Sequence, residues 1–370
     1  MQAANPAAVV VPALSHFNRL NCRTMKLENL SSLLPHRSIR LRIGKLMLAA
    51  VALVAMSAWL RASANSTAAP SQQELAAVAG QESFAVTDLE WTDAERGRRV
   101  PARLFWPDSA RHGKVPLIVF SHGIGSSRDG YTYLGRYWAS HGIASLHLQH
   151  VGSDRDLWRG NVFSLVTRFQ HAASEQEAVA RVHDLSFALD RLLAGGRGAH
   201  IARDRIIAAG HSYGANTTLL AAGAKVVRNG RLLQFRDPRI CAAILISAPP
   251  FYGEKDFAPI LSGIGIPTLH VTTADDVIRI PGFGSGLEDR LRIFDATGGP
   301  FKALAVYKQG SHNVFTERRY FDSLEVATQV KTATEGLSLA FLNQVFGQAD
   351  TLDLWERKHR EIFSEYVERR

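Results

Sequence analysis

The chain is poor in cysteine, with two in 370 residues, Cys22 and Cys241. Cys22 falls in a segment read below as a leader, so Cys241 stands alone in the remainder. A single cysteine excludes an intramolecular disulfide framework in any compartment. Its neighbours, Ile240-Cys241-Ala242-Ala243-Ile244-Leu245-Ile246, read as a buried strand holding an inert thiol. No His/Cys cluster has the spacing of zinc ligands, so no metal is expected. Internal repeats are absent, and so is any low-complexity tract beyond the linker described below. Long apolar runs are scarce: Leu46–Leu60 is uncharged for 15 residues, short of the roughly 20 that a spanning helix needs.

An even spread of charge is also missing. The net charge of +9 would suit a nucleic acid or an anionic membrane surface. Yet residues 1–64 hold eight of the 43 basic residues (Arg19, Arg23, Lys26, Arg37, Arg40, Arg42, Lys45, Arg61) and one of the 34 acids, Glu28. The rest of the chain therefore carries 35 basic against 33 acidic residues, close to neutral. The basicity belongs to the leader, and no nucleic-acid partner is expected. Arg37, Arg40, Arg42 and Lys45, the run Leu46–Leu60 and Ala62-Ser63-Ala64 have the order of an export signal ending in an A-x-A site before Asn65. The expectation is a protein exported to the periplasm or secreted; the alternative is an N-terminal anchor, and membrane contact only through that uncleaved leader. Translation from Met25 would shorten the long stretch ahead of the signal. Residues 65–80, rich in Ser, Thr, Ala, Pro and Gln, read as a flexible linker, and 81–370 as one domain.

Within that domain the informative stretch is Gly210-His211-Ser212-Tyr213-Gly214. It follows an apolar strand pattern, Arg205–Ala209, and precedes a small, apolar helix pattern, Ala215–Gly223. A strand turning into a helix within a few residues forces the central residue into a strained conformation and lifts its hydroxyl above the sheet. The helix behind it aims backbone N–H groups and its positive dipole end at a developing oxyanion. The other glycine-bearing loop, Ser121-His122-Gly123-Ile124-Gly125-Ser126-Ser127, follows the continuous apolar run Val115–Phe120. It lacks the Lys-Ser/Thr ending and the G-x-G-x-x-G spacing of phosphate loops. It occupies the place where such a fold keeps the second oxyanion donor, leaving Ser121 and Ser126 as ordinary loop serines.

Elements alternate along the chain: strands over Phe84–Trp91, Val100–Trp106, Val115–Phe120 and Ile143–Leu148, helices over Tyr131–His141 and Glu175–Leu193, then strands over Ile240–Ser247, Ile266–Thr273 and Lys302–Tyr307. Helices over 323–346 and 352–366 close it. This predicts an α/β, doubly wound, mostly parallel sheet of about eight strands, with a lid-like excursion at 150–180. Gly282–Gly286 reads as a loop. His147 and His270 lie mid-strand, in hydrogen-bonded core positions.

After the elbow come Asp275-Asp276 at one strand end and Gly310-Ser311-His312 at the last. Serine, then acid, then histidine is a nucleophile, an orienting carboxylate and a base in one chain order. The pattern strand, turn, Asp, apolar pair fits Asp276-Val277-Ile278 better than Asp275. His122, Gly123, His211 and Asp275 are expected near the site, framing it. Over residues 84–346 the chain resembles the α/β-hydrolases. Phe120–Gly125, Tyr137…His141-Gly142, Asp184-Leu185-Ser186-Phe187…Asp190-Arg191-Leu192, Gly210–Gly214 and Gly310–Phe315 are similar to the branch of dienelactone hydrolases and platelet-activating-factor acetylhydrolases. The resemblance implies carboxylic-ester hydrolysis through an acyl-enzyme without a cofactor, on Ser212, Asp276 and His312. It also implies an oxyanion hole formed by the backbone N–H groups of Tyr213 and Ile124. Its substrate would be a small or lipid-like ester. Dienelactone hydrolases use cysteine where this chain has Ser212, which points to ordinary acyl esters. The alternatives are a peptidase or thioesterase on the same residues, or a non-catalytic binding protein on the same fold.

Overall fold

The computed structural model describes residues 82–370 apart from 229, 252, 281–282 and 318–320. The expected leader (1–64) and linker (65–80) lie outside the described residues. Strands β1 (Phe84–Asp93) and β2 (Arg98–Pro107) pair antiparallel around a turn at Gly97, where φ is 59°. There follow β3 (Val115–Ser121), α1 (Thr132–Ser140), β4 (Ala144–Leu148), α2 (Leu165–Ala172) and α3 (Glu175–Ala194). Next come β5 (Ile201–His211), α4 (Tyr213–Ala222), a hairpin of β6 (Lys225–Arg228) and β7 (Arg231–Gln234), then β8 (Ile240–Ile246) and the single turn α5 (Ala258–Leu261). The chain continues with β9 (Thr268–Asp275), a hairpin of β10 (Ile278–Ile280) and β11 (Phe283–Ser285), and α6 (Leu287–Ala296). It ends with β12 (Lys302–Ser311), α7 (Leu324–Val345), α8 (Thr351–His359) and β13 (Phe363–Arg369).

The main sheet runs β1-β2-β4-β3-β5-β8-β9-β12-β13. Pairing is parallel from β4 to β12 and antiparallel at both edges. Alternation along the second half of β5 explains its apolar run Ile206–Ala209. Ile206 and Ala208 pack with Val182, Leu185 and Leu189 of α3 and Leu219 of α4; Ile207 and Ala209 pack on the other face with Trp138 of α1 and Leu337 and Phe341 of α7. A strand covered on both faces has no polar side to show. Because the parallel strands point one way, their carboxyl ends gather the loops after β3, β5, β9 and β12, and such sheets hold their sites there.

The main sheet has nine strands where about eight are expected. Two expectations are corrected. The helix expected at 352–366 ends at His359. Trp355, His359, Ile362 and Tyr366 recur at helical spacing, but Phe363, Tyr366 and Val367 suit a strand equally, and the open edge of β12 decides. The loop expected at 282–286 contains β11, paired with β10 in a small hairpin. The excursion at 150–180 consists of two short 3-10 turns, α2 and the first turn of α3. It packs onto the loop after β3, where Trp158 Nε1 donates to the Gly125 carbonyl at 2.8 Å.

Candidate active site

Ser212 sits between β5 and α4 with φ 55° and ψ −122°, outside the regions open to L-residues. Close packing on both sides holds it there. A Cβ on Gly214 would lie 1.9 Å from the Ser121 carbonyl oxygen, and one on Gly210 would lie 2.3 Å from the Gly214 oxygen. Only glycine fits at either position, which is the physical content of the two flanking glycines.

The Ser212 hydroxyl is 2.8 Å from Nε2 of His312, and His312 Nδ1 is 2.8 Å from Oδ1 of Asp276. Asp275 is exposed and Asp276 fully buried, so the strand end places Asp276, not its neighbour, beside the imidazole. The Asp276 carboxylate also accepts from Ser247 Oγ at 2.5 Å, Thr272 Oγ1 at 2.6 Å and Arg290 through Nε and Nη2, both at 3.2 Å. Burial pushes its pKa up, but the His312 ring, Arg290 and Ser247 outweigh burial and hold the carboxyl well below the usual carboxylate range. Arg290 lies on α6 and was not singled out from the sequence. The amphipathic run Leu287, Leu291, Phe294 could have found its helix, though nothing local pairs it with Asp276.

His211, beside the His312 ring, is held neutral and oriented. His211 Nε2 is 3.0 Å from the His312 carbonyl, so it carries the proton, and Nδ1 accepts from the Tyr131 hydroxyl at 2.8 Å. Burial, then the His312 ring, pushes the His211 pKa well down. Tyr131 Oη in turn accepts from the Gly123 N–H at 3.3 Å. A Cβ on Gly123 would stand 3.4 Å from Ser212 Cβ, which sets this loop directly over the serine. Glu317, just past His312, accepts from the N–H groups of Tyr131 (2.7 Å) and Thr132 (2.6 Å) at the start of α1. The N–H groups of Ile124 and Tyr213 have no acceptor among the described residues; for Tyr213 this is the ordinary state of a first helical residue.

Behind the loop lies an arrangement the sequence reading missed. His150 Nδ1 is 3.1 Å from Asp184 Oδ2 and its Nε2 is 3.1 Å from Ser121 Oγ, with all three residues fully buried. Ser121 is therefore not an ordinary loop serine but a core hydroxyl at the end of β3. Burial, with Arg181, Arg98 and Arg96 nearby, pushes the His150 pKa well down. Asp184 and Glu177 take bidentate bonds from Arg98, and Arg96 adds another to Asp184 at 2.9 Å. His122 bonds within this layer, accepting the His150 N–H at Nε2 (3.1 Å) and standing 2.7 Å from the Gly123 carbonyl at Nδ1. The mid-strand histidines differ. His270 reaches Thr268 Oγ1 at 3.2 Å, whereas His147 reaches the Gly130 carbonyl at 3.4 Å and its Nε2 has no partner among the described residues. Among the described residues no group of three or more His, Cys, Asp or Glu could hold a metal ion.

Comparison with known proteins agrees with this architecture. Residues 98–157 match the family model of platelet-activating factor acetylhydrolase, isoform II. A ferulic acid esterase from Streptomyces cinnamoneus superposes with a TM-score of 0.53 at 20% identity, covering 72% of this chain and 91% of the esterase. No curated protein matches. The fold is that of the α/β-hydrolases.

Proposed function

We propose that the protein cleaves small, lipid-like or aryl carboxylic esters through an acyl-enzyme on Ser212. One observation carries the reading: the unbroken line from Ser212 Oγ through both ring nitrogens of His312 to Asp276, each link 2.8 Å. His312 takes the serine proton as Oγ attacks the ester carbonyl, then returns it to the departing alcohol. Asp276 keeps Nδ1 protonated, so that Nε2 faces the serine as a base, and it stabilises the transient imidazolium. The carbonyl oxygen, charged in the tetrahedral intermediate, takes hydrogen bonds from the N–H groups of Tyr213 and Ile124. Water then attacks the acyl-enzyme by the same route and frees the acid. No step calls for a cofactor.

The test is a p-nitrophenyl ester chain-length series, extended by methyl ferulate, on wild type and Ser212→Ala. Turnover should vanish in the variant, together with labelling by a fluorophosphonate. A folded Ser212→Ala protein that keeps a tenth of the activity would mean another nucleophile. We also propose that the enzyme works outside the cytoplasmic membrane, a reading supported by the charge and apolar pattern of residues 37–64. N-terminal sequencing of the exported protein should begin near Asn65; full-length protein in the membrane fraction would support an anchor instead.

A further inference from the structure

We propose that Arg181, on α3, is a positioning residue that sets both halves of the oxyanion hole at once. The proposal rests on the reading of Ser212 as nucleophile and of Ile124 and Tyr213 as oxyanion donors.

Arg181 is completely buried, and among the described residues no carboxylate lies within ion-pair distance of it. A buried guanidinium without a direct counter-ion is costly and calls for a reason. Its partners supply one. Nη2 donates to the His122 carbonyl, Nη1 to Ser153 Oγ at 2.8 Å, and Nε to Thr217 Oγ1 of α4 at 3.0 Å. The guanidinium also lies over the Tyr213 ring, 4.5 Å from its centre. One side chain thus grips the loop after β3 and the first turns of the helix behind Ser212.

The grip on His122 has a defined consequence. A trans peptide is planar, with its C=O and N–H opposed. Drawing the His122 carbonyl toward Arg181 turns the N–H of the same peptide, that of Gly123, away toward Tyr131 Oη, where it is found. The next carbonyl, that of Gly123, is held by His122 Nδ1 at 2.7 Å and the Ser126 N–H at 3.1 Å. Its opposed N–H belongs to Ile124. Two consecutive peptide planes are therefore fixed, and the N–H left without a partner is the one assigned to the oxyanion. Ser153 passes the hold on to Glu177 at 2.7 Å, and Glu177 to Arg98. Full burial lowers the Arg181 pKa to about 10, still charged at neutral pH.

The experiment measures kcat, KM and the affinity of an aryl trifluoromethyl ketone, which adds to serine as a tetrahedral oxyanion. The variants are Arg181→Met, Arg181→Lys, Thr217→Val and Ser153→Ala. In folded Arg181→Met, kcat should fall about 100-fold with KM within about threefold, the ketone weakening in parallel with kcat/KM. Arg181→Lys keeps the charge but not the fork, and should recover about tenfold of that loss. Thr217→Val and Ser153→Ala each free one anchor and should lower kcat and ketone affinity about three- to tenfold. If Arg181→Met does not fold, these two variants carry the test. A folded Arg181→Met with unchanged kcat, a loss confined to KM, or unchanged kcat in both anchor variants overturns the proposal. Turnover that survives Ser212→Ala would instead sink the reading beneath it, so the two failures are told apart.

Discussion

Two Ser–His–Asp arrangements stand at the carboxyl end of the same sheet, one built on Ser212 and the other on Ser121. In both, each imidazole bridges a hydroxyl and a carboxylate, and each carboxylate also meets an arginine. Three differences separate them. Ser212 and His312 keep 7% and 9% of their surface, whereas Ser121, His150 and Asp184 keep none. Ser212 is raised on a positive-φ corner beside N–H groups without acceptors, whereas Ser121 ends a regular strand. The links are 2.8 Å around His312 and 3.1 Å around His150. Residue types in hydrogen-bond order do not make a nucleophile. What does is access for a carbonyl, and donors for the charge it acquires.

Several substitutions sharpen or break that contrast. Ser212→Ala should lower kcat by on the order of 10⁵–10⁶, while Ser121→Ala should stay within about threefold, both read on one p-nitrophenyl ester. Equal losses would erase the distinction. Asp276→Asn should cost about 10⁴ in kcat by favouring the wrong imidazole tautomer, against about threefold for the exposed Asp275→Asn. Profiles over pH 6–9 should not restore Asp276→Asn. Asp184→Ala should act on folding instead, costing about 3–5 kcal/mol in urea unfolding, because it removes a fully buried carboxylate that partly buried Arg98 and Arg96 share with His150. If that variant is as stable as wild type, the inner arrangement is not the structural anchor described here.

Acid should expose the buried histidines. Burial lowers His147 and His270 to about 3, and His150 well below its usual value. The unfolded chain takes up these protons near 6.5, so their contribution to stability is complete above that pH and declines as pH falls toward 3. Each adds a slope of about 1.4 kcal/mol per pH unit in that window. Urea unfolding at pH 7, 6, 5 and 4 should be steeper in wild type than in His270→Gln. Identical slopes would mean that His270 protonates in the folded state.

Much of this was legible in the sequence. Buried parallel strands announce themselves as apolar runs, and Gly210 and Gly214 bracket Ser212 because nothing larger fits. The spacing from Pro267 to the acid favoured Asp276 over Asp275, and the structure puts Asp276 beside His312. What was not legible depends on pairs distant in sequence. Arg290 is 14 residues from Asp276, and Asp184 is 34 from His150; neither partner carries a local mark. The last strand escaped because its apolar spacing suits a helix while its aromatic and β-branched residues suit a strand, and only the β12 edge selects between them.

The backbone of Ser212 has a consequence for heat resistance. A non-glycine residue held at φ 55° and ψ −122° costs about 1–3 kcal/mol, which the alanine variant keeps and a glycine would largely release. Ser212→Gly should therefore melt a few degrees above Ser212→Ala in calorimetry. Selection for thermal endurance alone would favour losing the serine at this corner, so its presence there accords with the proposed turnover.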